Sequence, residues 1–424
     1  MSNLCGGLLF LPSMIFLYNL GVRLYALLAK ASSPFNAKAK KFIKGRKNVF
    51  GEIRKYRSNE KGPVAWFHAA SLGEFEQGLP VMERFKEEFP SYSIVVSFFS
   101  PSGYEHRKEH PIADLTCYLP IDTKANAKRF LDELKPNLAC FIKYEYWFHF
   151  LKEADQRSIP LFSISAIFTP NHIFFKKYGS FHRQMLQYFD HTFVQNTKSE
   201  YLLKSIGVEN CSISGDTRFD RVSQTVASPE SYADLEKFCG NKTTLIVGSA
   251  WPEDMAVLAD FINAKSGEIN IIIAPHLIDR AHVEKITSHL SVPFKLYSDG
   301  NLTNTDSVLI LNTIGMLSST YQYADFAYIG GAFGDGLHNI LEAVAFGLPV
   351  VFGNKGLEKF PESEELITLG GAFSVEDAQQ TQDVLNNLLI EGFRKGASDI
   401  CLQYVTENQG ATERIISYLK EELK

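Results

Sequence analysis

The sequence lacks the marks of several chemistries. Its six cysteines, Cys5, Cys117, Cys140, Cys211, Cys239 and Cys401, are scattered over 424 residues and form no Cys-x-x-Cys pair. That excludes a disulfide-stapled scaffold and a zinc knuckle, and it suits a reducing compartment. A Gly-x-Ser-x-Gly nucleophile elbow is missing, which removes the commonest hydrolase arrangement. Charge of neither sign dominates: 43 Lys plus Arg stand against 48 Asp plus Glu, a net −5. A chain-wide polycation is therefore excluded, and no nucleic-acid partner is expected. Repeats and low-complexity tracts are absent. His106 and His110 have i, i+4 spacing, but the stretch HRKEH lacks the zincin glutamate and reads as a solvated helix face. No metal site and no cofactor are expected.

What is present is a folded chain. Hydrophobic residues make up 45%, aromatics 13% and charged residues 21%, and the length predicts two or three domains. Leu4 to Val22 runs 19 residues without a charge, and LYALLA follows Arg23. This is close to the roughly 20 residues that cross a bilayer, although Pro12, Asn19 and three glycines weaken it as a span. The start MSN has no basic residue, so a cleaved signal peptide is not expected. Lys30 to Arg57 carries ten Lys or Arg and one acid, Glu52. Such a bias keeps the following chain on the cytoplasmic side and attracts anionic lipid. Residues 1–29 are read as a membrane anchor and 30–61 as a basic membrane-proximal segment. A Leu-rich helix of a soluble core is the competing reading.

After about residue 62, apolar β-rich runs alternate with amphipathic stretches. The first series includes VAWFHAA (64–70), SIVVSFF (93–99), LACFIKY (138–144) and PLFSIS (160–165). A polar connection, residues 223–243, precedes a second series that includes TTLIVGSA (243–250), INIIIAP (269–275), SVLILN (307–312) and FAYIGGA (326–332). Continuous apolar strands separated by helices predict parallel sheets covered on both faces. The expected fold class is α/β, with two doubly wound Rossmann-like domains (62–222 and 244–424) facing a cleft. Ligands in such folds bind beyond the carboxyl ends of strands. Cys117 and Cys140 sit inside apolar runs and are expected in the core.

Four clusters follow strands. Ser71-Leu72-Gly73-Glu74 puts a carboxylate at a helix amino terminus, where it can meet a substrate hydroxyl or merely complement the helix dipole. Lys143-Tyr144-Glu145-Tyr146-Trp147 sets a carboxylate among aromatics, either to hydrogen-bond a sugar or tune a neighbour, or to sit in a structural salt bridge. Gly215-Asp216-Thr217-Arg218-Phe219-Asp220 offers Arg218 as an anion clamp or as the partner of Asp216 or Asp220. Gly330 to Ala343 has four glycines in seven positions before a helix, suited to close backbone approach and to phosphate, with Glu342 one turn in. It is neither a Walker loop nor a usual Rossmann fingerprint, and a plain glycine-rich turn is the alternative.

In these residues the chain resembles the 3-deoxy-D-manno-octulosonic acid (Kdo) transferases of lipopolysaccharide assembly, which are GT-B glycosyltransferases. The resemblance extends from the amino-terminal segment to about Gly370. The family's Ser-x-Gly-Glu, whose Glu is the general base, falls on Ser71 to Glu74. Its Pro-Thr-Gly resembles Pro101-Ser102-Gly103, and its Tyr-Leu-Pro-x-Asp matches Tyr118 to Asp122. Thr-Glu-Leu-Trp resembles Tyr144 to Trp147, placing a second functional carboxylate on Glu145. Gly-x-x-Lys-Phe-Asp resembles Gly215 to Asp220, with Arg218 in place of Lys. His-Asn-Pro-Leu-Glu matches His338 to Glu342, with Ile340 for Pro. The family's Pro-Asn after the Trp is Phe148-His149 here, its Pro-Arg is Pro275-His276, and its Gly-Glu-Leu is Gly315-Met316-Leu317.

The resemblance implies Kdo transfer from CMP-Kdo to a tetraacyl lipid A precursor at the cytoplasmic face of the inner membrane. It makes Glu74, Glu145 and Arg218 catalytic. It assigns CMP binding to Pro275, His276, Gly315, Met316, Leu317, Asn339, Ile340, Leu341 and Glu342 in the second domain. Acceptor contacts fall on Ser71, Gly73, Ser102 and Gly103 in the first. Two other classes stand beside this reading: a sugar-nucleotide 2-epimerase of similar fold, which needs no anchor, and a membrane-bound nucleotide-sugar binder without activity.

Overall fold

The computed structural model describes residues 5–303, 306–334 and 336–424. Residues 1–4 of the expected anchor and Asp335 of the glycine-rich stretch lie outside the described residues. The chain forms two compact units, one ending at Arg221 and regaining Gly410–Lys424, the other Val222–Gln409.

The first unit is built on β1 (Val64–Ala69), β2 (Ser93–Phe98), β3 (Leu115–Tyr118), β4 (Leu138–Ile142), β5 (Leu161–Ala166), β6 (His191–Val194) and β7 (Cys211–Ile213). They pair in parallel in the order β3-β2-β1-β4-β5-β6-β7. Every residue of β1, β2, β4 and β5 is buried, because helices cover both faces and leave no polar-out alternation. Trp66, Phe130, Phe141 and Phe150 fill one face, while Phe67, Phe75, Phe85 and Phe98 fill the other. Cys117 and Cys140 lie in these cores, as expected.

The second unit repeats the plan with β8 (Thr244–Ala250), β9 (Asn270–Pro275), β10 (Lys295–Leu296), β11 (Val308–Ile310), β12 (Phe326–Ile329), β13 (Val350–Gly353) and β14 (Ala372–Val375). Their order is β10-β11-β9-β8-β12-β13-β14. Strand order reverses direction beside β1 in the first sheet and beside β8 in the second, the switch points where ligands of such sheets bind.

The boundaries differ from those read in the sequence. Residues 30–61 are no separate segment: α2 (Ala37–Gly45) and α3 (Val49–Asn59) bury Phe42, Val49 and Ile53 in the first unit. Residues 223–243 are largely helical, within Thr217–Ala227 and Ala233–Cys239. The second domain does not extend to residue 424. The helix Ala411–Glu422 buries Ile415, Ile416 and Leu419 in the core of the first unit. Its start is held by Asp220, whose carboxylate accepts the N–H groups of Gly410 and Thr412 at 2.7 and 2.6 Å. Asp220→Ala should lower stability by about 0.5–2 kcal/mol, the usual cost of losing a helix cap. Urea melts of the two proteins check this, and an unchanged midpoint would exclude the capping role.

Amino-terminal to these lies α1 (Cys5–Ser32). Among the described residues its part Ser13–Ser32 is the one stretch long and apolar enough to cross a membrane. One side of α1 is tied to the first unit. Tyr18 Oη donates to Asp122 Oδ2 at 2.5 Å, and Asn19 Oδ1 lies 2.6 Å from His149 Nε2. Asp122 is itself buried and accepts the N–H groups of His149 and Phe150 at 3.1 and 3.2 Å. Burial pushes its carboxyl up to about 6. The opposite side of α1 exposes Phe16, Leu17, Leu20, Leu24 and Leu27.

Candidate functional site

In the first unit β1 ends at Ala69 and α4 (Leu72–Glu88) begins two residues later. Glu74, on the first turn, accepts the N–H groups of Ala70 and Ser71 on Oε2 at 2.5 and 3.1 Å. These bonds stabilise the carboxylate, yet its pKa is pushed up to about 7. Burial is the main cause and the charge of Glu145 the next, against the two N–H groups and Lys143. A carboxylate poised near neutrality is what a general base needs. The capping geometry is compatible with a base: the N–H groups orient the carboxylate, and burial raises its pKa.

Glu145 follows β4, the neighbour of β1. Its Oε2 accepts from Trp147 Nε1 at 2.6 Å and lies 3.2 Å from His68 Nε2. His68 is wholly buried in β1 and bonds Ser97 Oγ through Nδ1 at 2.8 Å. Ser97, His68, Glu145 and Trp147 thus form one chain across neighbouring strands. Of the two readings of Glu145, it is held inside the fold, with its side chain only 10% exposed. From there its charge bears on Glu74.

Arg218 lies beyond β7, at the same end of the sheet. Its Nε and Nη2 grip Asp216 Oδ2 at 2.8 and 2.7 Å, and Gln77 Nε2 donates to the other oxygen at 2.9 Å. The partner left open between Asp216 and Asp220 is Asp216. Arg218 keeps 24% of its side chain exposed, and its charge, with those of Asp216 and Glu74, bears on Tyr144. The structure therefore gathers Glu74, Glu145 and Arg218 at the carboxyl end of one sheet.

The proposed acceptor residues divide in role. Ser102 Oγ bonds Ser100 Oγ at 2.9 Å at the start of α5 (Pro101–Arg107). Gly103 is required by space: a Cβ there would meet Phe98 Cδ1 at 2.2 Å and the Ser71 carbonyl carbon at 3.1 Å. Gly103→Ala should therefore push α5 off the Ser71 turn and destabilise by about 1–3 kcal/mol, the range for overpacking. A denaturation midpoint equal to wild type would contradict it. Gly73 has open space around its Cα, so nothing in the fold demands glycine there.

In the second unit the residues assigned to CMP follow β9, β11 and β12. Pro275 closes β9, and His276 N–H donates to Ala250 O at 2.9 Å. Gly315 adopts φ +88°, a left-handed turn that leads through Met316 into the helix Leu317–Thr320. Asn339 Oδ1 accepts the Leu341 N–H at 3.2 Å while its Nδ2 donates to Glu342 Oε1 at 3.1 Å. Ile340 is buried. These groups lie at the carboxyl ends of β9 and β12, which flank β8, and of β11 beyond β9.

Two residues that sequence reasoning missed organise this end. Trp251, just past β8, stacks on His276 with centroids 4.5 Å apart, and His276 stacks on His338 at 4.5 Å. Trp251 Nε1 also bonds His338 Nε2 at 2.9 Å. Asp254 is buried and accepts from Trp251 N, Gly331 N and Tyr328 Oη at 3.0, 2.9 and 3.1 Å. A Cβ on Gly330 would lie 2.5 Å from its Oδ2. The first two glycines of the rich stretch thus close around an internal carboxylate. The phosphate-cradle expectation is corrected for Gly330 and Gly331. An acidic residue two positions after a strand-end Trp-Pro was the signal available for Asp254.

Comparisons with known proteins follow this architecture. Residues 44–221 match the family model described as 3-deoxy-D-manno-octulosonic-acid transferase (kdotransferase). The 3-deoxy-D-manno-octulosonic acid transferase of Chlamydophila psittaci is 27% identical over 73% of this chain and 73% of its own. That of Rickettsia bellii is 26% identical over 84% of this chain and 87% of its own. Among solved structures, UDP-GlcNAc 2-epimerase from Neisseria meningitidis bound to UDP-GlcNAc is similar with TM-score 0.60 and 14% identity, covering 84% of this chain and 100% of that one. A putative UDP-N-acetylglucosamine 2-epimerase from Listeria monocytogenes gives TM-score 0.60 at 13% identity, over 86% and 97%. Such low identities carry the fold alone, which is GT-B. The sequence relatives carry the activity class: residues 44–221 match the transferase family model, and the chain is similar over most of its length to 3-deoxy-D-manno-octulosonic acid transferases, which indicates a glycosyltransferase.

Proposed function

We propose that the protein transfers Kdo from CMP-Kdo to a hydroxyl of a tetraacylated disaccharide lipid A precursor, with inversion at the transferred carbon. The observation that carries this is Glu74, a half-buried carboxylate held by the Ala70 and Ser71 N–H groups at a strand-to-helix turn, with its pKa raised to about 7 by burial. It takes the acceptor proton as the hydroxyl attacks, and Glu145 keeps it basic through like charge. Arg218 stabilises the negative charge that develops on the departing phosphate. Asn339 and Glu342 meet the ribose hydroxyls, and Pro275, His276 and the turn Gly315-Met316-Leu317, with Ile340 and Leu341 behind, frame the cytidine.

The membrane is the natural place for such an acceptor. The exposed apolar side of α1 and the lysines of α2 suit the cytoplasmic leaflet of the inner membrane, an interfacial mode rather than a crossing. Incubating purified protein with CMP-Kdo and the tetraacyl precursor, and weighing the lipid product, tests the reading. A mass gain of one or more Kdo units is expected. Transfer to no lipid acceptor would refute it.

A further inference from the structure

Between α1 and the first unit lie two cavities, about 400 and 630 Å³, within the range of small-molecule sites. The first is walled by Tyr18, Gly21, Val22 and Tyr25 of α1 and by Phe99 and Trp147 opposite. The second continues along the helix past Leu28 and Ser32 to Lys38 and Ser100. Tyr25 and Phe99 line both cavities, and their rings stack at 6.0 Å.

We propose that this groove holds a fatty-acyl chain of the acceptor while its sugar hydroxyl reaches Glu74. The proposal rests on the transferase reading above and adds to it the place of the lipid tail. Three observations carry it. The walls of the first cavity are mainly apolar, and the polar atoms of Tyr18, Asp122 and Trp147 are engaged in hydrogen bonds. The other side of α1 carries the exposed apolar row Phe16, Leu17, Leu20, Leu24 and Leu27, a face suited to lie against the leaflet.

The inner wall also borders the reacting end of the sheet. Trp147 bonds Glu145, and Ser100, next to Phe99, donates its N–H to Ala70 O at 2.7 Å, beside the Glu74 carboxylate. At the outer rim, exposed Lys38 of α2 offers positive charge to a phosphorylated headgroup.

Gly21 makes the groove testable. Nothing stands within 4 Å of where its Cβ would be, so Gly21→Phe fills the first cavity without a backbone clash. Replacing a mid-helix glycine also favours the helix, so the variant should melt no lower than wild type. Full-length wild type, Gly21→Ala and Gly21→Phe are assayed with CMP-Kdo and either the tetraacyl disaccharide bisphosphate or its fully deacylated form. Co-sedimentation with phosphatidylethanolamine–phosphatidylglycerol vesicles is measured alongside.

The expected result is a fall of at least tenfold, in Gly21→Phe alone, in the ratio of kcat/KM for acylated over deacylated acceptor, with vesicle binding unchanged. An unchanged ratio, or a fall that merely follows lost vesicle binding, would overturn the groove. If wild type transfers to neither acceptor, the transferase reading fails by itself. Binding of the fluorescent fatty acid cis-parinaric acid then decides: saturable binding by wild type and not by Gly21→Phe sustains the groove, and equal binding by both overturns it.

Discussion

Glu74→Gln should reduce transfer by about 100- to 10,000-fold, the span typical of a positioned general base, while CMP-Kdo binding persists. The amide retains the shape of the side chain and an oxygen for the Ala70 and Ser71 N–H groups, so the turn into α4 should survive. Two readings of the residue predict different observables. If the carboxylate only complements the helix dipole, its loss costs about 0.3–1 kcal/mol of stability and leaves turnover near normal. Normal turnover with a lowered melting temperature would therefore exclude the base.

The same residue sets a pH dependence. A base works when deprotonated, and this carboxyl is raised to about 7, so wild-type kcat/KM should climb as pH rises through 7 and level off above. Glu145→Gln removes one of the two causes of the rise. The limb should then move to lower pH, with burial keeping it above an ordinary carboxylate. A limb unmoved by Glu145→Gln would show that the two carboxylates do not sense each other.

Arg218→Ala should cost about 100- to 1,000-fold in transfer, the loss seen when a charge aimed at a developing anion is removed. Arg218→Lys should retain measurable transfer, because a point charge serves phosphate without the bidentate fork. The ion pair with Asp216 makes the test sharper. Were that pair purely structural, Asp216→Asn and Arg218→Ala would each lower the melting temperature and leave turnover alone. Should Arg218 face the departing phosphate, Asp216→Asn frees the guanidinium and spares transfer, whereas Arg218→Ala abolishes most of it. Equal turnover in Arg218→Ala and wild type would end the assignment.

The fold was legible where burial is two-sided. VAWFHA and NIIIAP show no polar-out alternation, as expected of strands in a parallel sheet covered on both faces. Glu74 was legible for a related reason, since a strand, a short turn and an acidic first helical turn place a carboxylate at the sheet's edge without further information. Glu145 and Arg218 were visible as candidates, but their partners were not. Whether Arg218 took Asp216 or Asp220 depended on the helix Ala411–Glu422, whose start claims Asp220.

The stacked Trp251, His276 and His338 come from three strand ends. No local pattern relates residues that meet only once the sheet has formed. Asp254 was hidden by its likeness to any acid in a first helical turn, and only the neighbouring glycines closing on it reveal the difference. The basic stretch 30–61 misled because charge on the outer face of α2 and α3 drew attention from Phe42, Val49 and Ile53 beneath.

The return of residues 410–424 to the first unit has a consequence for how the protein is made. Ile415, Ile416 and Leu419 complete a core whose other members, Phe67, Phe85, Phe162 and Phe193 among them, are translated long before. At roughly 5–20 residues per second on the ribosome, on the order of 10–40 s separate the emergence of Arg221 from that of Gly410. Throughout that interval the amino-terminal half presents an uncovered apolar strip to chaperones and to other nascent chains. The strip closes only once residues 410–424 have been made, so a stop codon anywhere from Gly410 to Lys424 damages the unit that was synthesised first. A stop codon at Gly410 should accordingly leave the second unit intact and send the first to proteases.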